Sequence, residues 1–349
     1  MINYNNLFQK DTFGVTQKDK DKFFFKNLKK LNNHHKKNCK EFNLIANSFF
    51  FKKKQIKLED LPFLHVNLFK DKNLNSVKKN TQLKIFNSSG TTGSSLSKVN
   101  IDRFTSLLQS RTLFNILMSV VGQKRDKIYF IDSENHIKKS YNTARGAAIN
   151  GFKQIAQNSE FLLDNNLKIN YKILKKINLQ ENIVFFSFTS TLWEKFLSEL
   201  IDKKIYFNFD NSFLFHGGGW KKLENLNIEK KFLYRLIKKH LGIKRVYDYY
   251  GMIEQTGSIF LECEEGYYHA SIFSEINIRN NNLEICKIGE KGIIQVSSLL
   301  PVSYPGHNIL TEDLGVIIGE DNCRCGRSGK FFKIFGRLPQ TELRGCSDV

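Results

Sequence analysis

The chain has 349 residues, of which 41% are hydrophobic, with 31 Phe among them; that excludes a disordered tail and allows a sizeable core, in one large domain with appended segments or in two lobes. Its formal net charge of +20 would draw nucleic acid, acidic proteins, acidic membranes or nucleotides, but lysine is spread along the whole chain beside much Asn and Ile, so the sign selects no partner. No apolar run has the length of a membrane span, the N-terminus lacks a signal-peptide core, and six cysteines without a disulfide-type framework suit a reducing, cytoplasmic location.

Residues 1–60 are rich in Lys, Asn and Phe, and the spacing of Phe42, Ile45, Phe49 and Phe50 predicts a helical N-terminal layer. His34 and His35 sit among lysines and read as solvated. Leu61-Pro62-Phe63 marks a break. Leu83, Ile85 and Phe86 then have strand character, and Phe104, Leu107, Leu108, Phe114, Leu117 and Met118 recur at helical spacing. Ile128–Ile131 and Ile183–Phe186 read as buried strands, Leu192–Leu200 and Phe232–Leu241 as helices, the latter stopped by Gly242. This alternation predicts an α/β fold with a largely parallel sheet over about 61–245. Beyond Tyr247 the pattern changes to hairpins. Ser258–Cys263 and Tyr267–Ile272 flank Glu264-Glu265-Gly266, Asn280-Asn281-Asn282 turns into Leu283-Glu284-Ile285, and Gly292 opens another strand. A β-rich lobe over about 246–335 and a tail over 336–349 complete the expected organisation.

Four stretches carry chemistry. Ser88-Ser89-Gly90-Thr91-Thr92-Gly93-Ser94-Ser95, with Lys98 after it, reads as a loop between a strand and a helix. Its glycines let successive N–H groups face an anion, its hydroxyls donate, and the lysine adds a point charge. That suits a polyphosphate, although the spacing is not that of the NTPase P-loop; the plain alternative is a flexible linker. Tyr249-Tyr250-Gly251-Met252-Ile253-Glu254-Gln255-Thr256-Gly257 puts one carboxylate in a glycine-bracketed turn, where Glu254 could hold Mg²⁺ against phosphate oxygens, or simply form a polar turn. In Thr311-Glu312-Asp313-Leu314-Gly315 a carboxylate could accept both hydroxyls of a ribose, and Arg337 of Gly336-Arg337 could meet ribose or phosphate. A separate set, Cys263, His269, Cys323 and Cys325, could converge as a closed Cys₃His site for structural Zn²⁺ or remain free thiols. Gly217, Gly218 and Gly219, after His216 and before Trp220, permit close approach to a flat or acyl group; a tight turn with a core Trp is the alternative.

The order and chemistry of these stretches resemble the adenylate-forming superfamily, which activates carboxylic acids with ATP to acyl-AMP and pyrophosphate. Within it the sequence is similar to the acyl-protein synthetases of bacterial luminescence fatty-acid reductase systems. The resemblance rests on Tyr250–Gly257, on His216-Gly217-Gly218-Gly219-Trp220-Lys221, and on Gly336-Arg337-Leu338-Pro339 through Arg344-Gly345-Cys346-Ser347-Asp348. It covers roughly residues 80–349. It implies the adenylate-forming N-terminal-domain architecture, ATP phosphates on the Ser88–Lys98 loop, adenine and Mg²⁺ at Tyr250, Gly251 and Glu254, ribose on Asp313, and a hinge at Arg337. A fatty acid is the expected substrate and an acyl reductase the expected protein partner; no specific nucleic acid is expected. Zinc is also known in related enzymes with a Cys-x-Cys-Gly-Arg element.

Two departures stand out. The residue before the expected metal-binding Glu is Ile253 where many superfamily members have Thr, so Thr256 or a loop hydroxyl would have to serve. Only residues 338–349 follow Arg337, which leaves no counterpart for the catalytic lysine of a C-terminal lobe and places the burden on Lys98. Cys346 is then the expected acyl acceptor, with Arg344 favouring and Asp348 opposing its thiolate. The rival expectations are an acyl-CoA or aryl-CoA ligase, and a basic scaffold or nucleic-acid-binding protein without catalysis.

Overall fold

The structure, a computed structural model, describes residues 2–50, 56–78, 80–88, 96–140, 142–177, 182–218 and 228–338. The chain divides into two compact units, one built from the described parts of 1–88, 95–116 and 251–342, the other from those of 117–250. The first unit opens with helices α1 (Tyr4–Phe8), α2 (Gln17–Asn38) and α3 (Lys40–Phe50), then strand β1 (Leu64–His65), helix α4 (Leu68–Asp71) and strands β2 (Lys84–Asn87) and β3 (Lys98–Ile101). Helix α5 (Arg103–Val121) leads into the second unit, which comprises β4 (Arg125–Ser133), α6 (Glu134–Lys139), α7 (Ala144–Phe152), β5 (Ala156–Leu163), α8 (Tyr171–Leu174), β6 (Ile183–Phe188), α9 (Thr189–Leu192), α10 (Ser198–Asp202), β7 (Phe213–Gly217), α11 (Lys230–Leu241) and β8 (Arg245–Tyr250). The first unit resumes with β9 (Phe260–Glu262), β10 (Tyr268–His269), β11 (Ser274–Arg279), β12 (Lys291–Ser298), β13 (Asn308–Glu320) and β14 (Lys330–Arg337).

In the second unit β5, β4, β6, β7 and β8 lie side by side, all parallel. Every residue of β6, Ile-Val-Phe-Phe-Ser-Phe, is buried. An unbroken apolar run of that kind belongs to a parallel strand covered on both faces rather than to an alternating strand with one wet face. Helix α11 buries Leu233, Ile237 and Leu241 at spacings of four against a core that includes Phe185, Leu214, Phe196 and Leu200, and it ends at Gly242.

In the first unit β11, β12, β13, β14, β10 and β9 form an antiparallel order, with β1 added parallel to β13. The mixed α/β fold with a parallel part and a β-rich part is therefore as the sequence implies. Helix α2 starts at the Thr16 cap, whose side chain accepts from the Asp19 N–H, as Thr commonly does at that position. It buries Phe24, Leu28, Leu31 and His35, a 4-3-4 stripe.

Three expectations are corrected. His35 is fully buried: Nδ1 bonds Ser76 Oγ at 2.8 Å, Nε2 the Pro301 carbonyl at 3.1 Å, and the ring stacks on His307 at 4.7 Å. Its place on the apolar stripe outweighs its lysine neighbours. Phe49 is 80% exposed, because α3 buries Phe42 and Ala46 and it is Phe50 that turns inward, edge-on to Phe63. The 88–98 segment joins two antiparallel strands, β2 and β3, not a strand and a helix, and Ile85 on β2 is exposed.

Candidate active site

The base of the Ser88–Lys98 loop is closed by a reciprocal pair. Ser88 N–H donates to the Ser97 carbonyl and Ser97 N–H to Ser88 Oγ, each at 2.9 Å. Ser89, Gly90, Thr91, Thr92 and Gly93 lie outside the described residues, as do Gly219, Trp220 and Cys346. Lys98 opens β3 with its side chain exposed.

The Glu254 turn is held from several directions. Tyr304 Oη donates to the Glu254 carbonyl at 3.0 Å and Gln109 Nε2 to Tyr304 Oη at 3.3 Å. Gln255 Nε2 donates to the Gly306 carbonyl at 2.9 Å, and Thr256 Oγ1 to that of Ile253 at 2.8 Å. Gly257 has φ +82°, and a Cβ there would stand 2.4 Å from the Gln109 carbonyl oxygen, so only glycine fits. Glu254 itself is 4% exposed. Burial pushes its carboxyl up from the ordinary range, while the Ser97 hydroxyl and the Arg337 and Lys70 cations draw it back. Asp313 and Arg337 face each other across β13 and β14 and pair at 3.4 Å from Nε to Oδ1. The first unit thus gathers Ser97, Glu254, Asp313 and Arg337. Sequence reasoning missed Ser97, Lys70 and Tyr304; the Tyr304-Pro305-Gly306 turn signal was the only local hint of the last.

In the second unit, β6, β7 and β8 end at Phe188, Gly217 and Tyr250, the strand ends where ligands bind in open parallel sheets. A Cβ on Gly217 would lie 2.5 Å from Tyr249 Cε1, and the Tyr249 ring is packed by Phe152 and Phe186. His216 is fully buried, with Nδ1 at 2.9 Å from Thr189 Oγ1 and Nε2 at 3.1 Å from Tyr234 Oη. Burial lowers its pKa to about 4, against the opposing pull of Asp248. Asp248 stands 3.8 Å from His216 Nδ1 and pairs with Lys230 at 3.0 Å.

Cys263, His269, Cys323 and Cys325 do converge. Their four donor atoms lie within 4.8 Å of one another, Cys263 Sγ at 3.9 Å from Cys323 Sγ and Cys325 Sγ at 3.4 Å from His269 Nε2. The β9–β10 hairpin sets His269 opposite Leu261, and the turn between β13 and β14 presents both other cysteines. Burial pushes the Cys325 thiol up to about 12 and the His269 pKa down to about 3. Three thiols and an imidazole, all buried but the half-buried Cys325, are a donor set for tetrahedral Zn²⁺.

A family model described as acyl-protein synthetase, LuxE, matches residues 3–349. Among solved structures the chain is similar to 2-hydroxyisobutyryl-CoA ligase in an open conformation in complex with 2-HIB-AMP and CoA, at 14% identity and a TM-score of 0.70 over 95% of this chain and 78% of that one. The same ligase in its thioesterification state gives 15% and 0.69 over 94% and 70%. A long-chain-fatty-acid-CoA ligase from Archaeoglobus fulgidus gives 14% and 0.50 over 73% and 51%. No curated protein matches. Among the described residues no helix is long and apolar enough to cross a membrane. With the family model spanning nearly the whole sequence, the chain belongs to the acyl-protein synthetase (LuxE) family, and it shares the fold of these ligases.

Proposed function

We propose that this chain uses ATP to adenylate a fatty acid and transfers the acyl group to its own Cys346, as a thioester for a partner acyl reductase. A carboxylate oxygen attacks the α-phosphorus, the bond to the pyrophosphate oxygen breaks, and acyl-AMP forms. The nucleophile is already an anion, so no general base is needed. The Cys346 thiolate then attacks the acyl carbon, and AMP leaves with the electron pair of the broken C–O bond.

The observation that carries this reading is the buried carboxylate of Glu254, raised by its burial and faced by Ser97. A buried carboxylate is costly unless a cation joins it. Mg²⁺ fits, because it takes one or two protein carboxylates and completes its shell with phosphate and water; it would neutralise charge on the phosphate oxygens. Arg337 and Lys70, the cations that act on Glu254, would add fixed positive charge where pyrophosphate departs. Asp313, held by Arg337, offers the ribose an acceptor, and the Ser88–Ser97 pair sets the mouth of the loop meant for the phosphates. Lys98, Tyr250 and Gly251 take the nucleotide roles that the family resemblance implies.

Zn²⁺ at the Cys₃His cluster would be structural, since four protein donors leave no open position. Metal analysis of protein purified without chelator should give close to one zinc per chain, and stripping it should lower Tm. A metal-free preparation with unchanged Tm would dismiss the zinc while leaving adenylation untouched.

Pyrophosphate release from ATP and Mg²⁺, across a panel of short to long fatty acids without CoA, tests the reading when intact mass is followed in parallel. Release with an acyl adduct that Cys346→Ser abolishes is the expected result. Release without an adduct would transfer the second step to an acceptor such as CoA.

A further inference from the structure

Helix α2 carries Lys18, Lys22, Lys26 and Lys30 on its exposed side. Spacing of four residues aligns them in one row, about 18 Å long at 1.5 Å per residue. Each successive pair is a like-charge i,i+4 contact, which works against the helix. Among the described residues none of the four makes an ion pair or hydrogen bond. The two acidic residues of the helix are engaged elsewhere, Asp19 with Thr16 Oγ1 at 3.0 Å and Asp21 with Gln17 Nε2 at 2.7 Å.

Basic composition alone makes shorter rows of this kind, as at Lys231, Arg235 and Lys239 on α11, all exposed and without an ion pair among the described residues, whereas α2 sets four lysines in line. The same chain neutralises exposed lysines at the same spacing on other helices, with Lys138 at 3.0 Å from Glu134 and Lys203 at 2.7 Å from Glu199. Helix α3 follows α2 after the single residue Cys39. It leaves Leu44 58% and Phe49 80% exposed, and Ile56 beyond it is 72% exposed. Unpaired lysines together with large exposed apolar side chains are the two elements of an interfacial anchor, charge for anionic headgroups and apolar groups for the acyl boundary.

We propose that this N-terminal helical layer docks on an anionic lipid bilayer, with the α2 lysine row against the headgroups and Leu44 and Phe49 entering the interface. Charge complementarity selects an acidic surface. The exposed apolar residues favour lipid over nucleic acid, which would satisfy the lysines and leave Phe49 in water. The inference does not depend on the adenylation reading, so either can fail alone.

The test is co-sedimentation of the full chain with vesicles of phosphatidylcholine alone or mixed with phosphatidylglycerol. Binding is expected only with phosphatidylglycerol, weakening with salt. Joint Lys18→Glu, Lys22→Glu, Lys26→Glu and Lys30→Glu substitution should reduce partitioning about tenfold or more. Phe49→Ser, which leaves the charge unchanged, should reduce it several-fold. Joint reversal of the exposed Lys175, Lys176, Lys238 and Lys239 should leave most of the binding intact. Absence of binding to the acidic vesicles would overturn the proposal. So would equal loss in the two quadruple variants, which would reduce it to net charge, or retention on heparin through the α2 row without vesicle binding, which would assign the row to a nucleic acid or an acidic protein.

Discussion

Two glutamates of the first unit are nearly equally buried, Glu275 at 1% and Glu254 at 4% exposure, yet their surroundings differ. Burial alone would raise the Glu275 carboxyl, but Lys20 at 3.2 Å, Lys330 at 3.6 Å, the Gln17 amide at 2.8 Å and the Ile276 N–H at 2.8 Å outweigh it and hold the pKa at about 2. At Glu254 the same burial wins, and the net direction is upward. One carboxylate is held down by cations at 3.2 and 3.6 Å; at the other the pull of Ser97, Arg337 and Lys70 does not outweigh burial. A saturated buried charge is architecture, whereas an under-compensated one held in a rigid turn suits a site that a ligand completes.

The largest effect that sharpens this contrast is expected at Glu275. Glu275→Gln leaves Lys20 buried without its counter-charge and should cost about 3–5 kcal/mol of stability, read as a large drop in the denaturation midpoint; a drop as small as that of an exposed Glu264→Gln control would show that Glu275 is not structural. Next comes pH. His216 is held at about 4 and His307 at about 3, both chiefly by burial, against 6.5 for an exposed histidine. The unfolded chain therefore binds more protons in that interval. Stability should be full above about pH 6.5 and decline as pH falls toward 4, with Glu275 adding a further decline in the same direction below about 4.5. Unfolding free energies measured from pH 7 to 4 should slope accordingly, and His307→Asn should flatten the slope; a flat wild-type profile would contradict the burial. The smallest effect is expected from Tyr304→Phe, which removes the hydrogen bond to the Glu254 carbonyl and the one from Gln109 Nε2 and should cost about 2 kcal/mol, together with a modest fall in acid-dependent pyrophosphate release.

Much of the fold was legible because periodicity changes along the chain. Apolar runs such as Ile183–Phe186 predict strands covered on both faces, and turn signals such as Glu264-Glu265-Gly266 predict the hairpins that follow. That turn also made the approach of Cys263 and His269 foreseeable, because a tight hairpin fixes which residues meet. Asp313 and Arg337 could each be noticed, but their pairing depends on the β13–β14 register, which no local pattern reveals. Ser97, Lys70 and Tyr304 reach Glu254 from stretches far away in sequence, and so were invisible. His35 was misread because neighbouring lysines dominate local composition, while a 4-3-4 stripe decides which face of a helix is dry.

The most direct measurement pairs acid-dependent pyrophosphate release with thermal unfolding in Glu254→Gln. Removing a desolvated charge while keeping the shape should leave Tm unchanged or slightly raised, and should reduce release by about a hundredfold or more. A variant that loses several degrees of Tm yet keeps its rate would make Glu254 a structural carboxylate like Glu275, and would contradict the account at its centre.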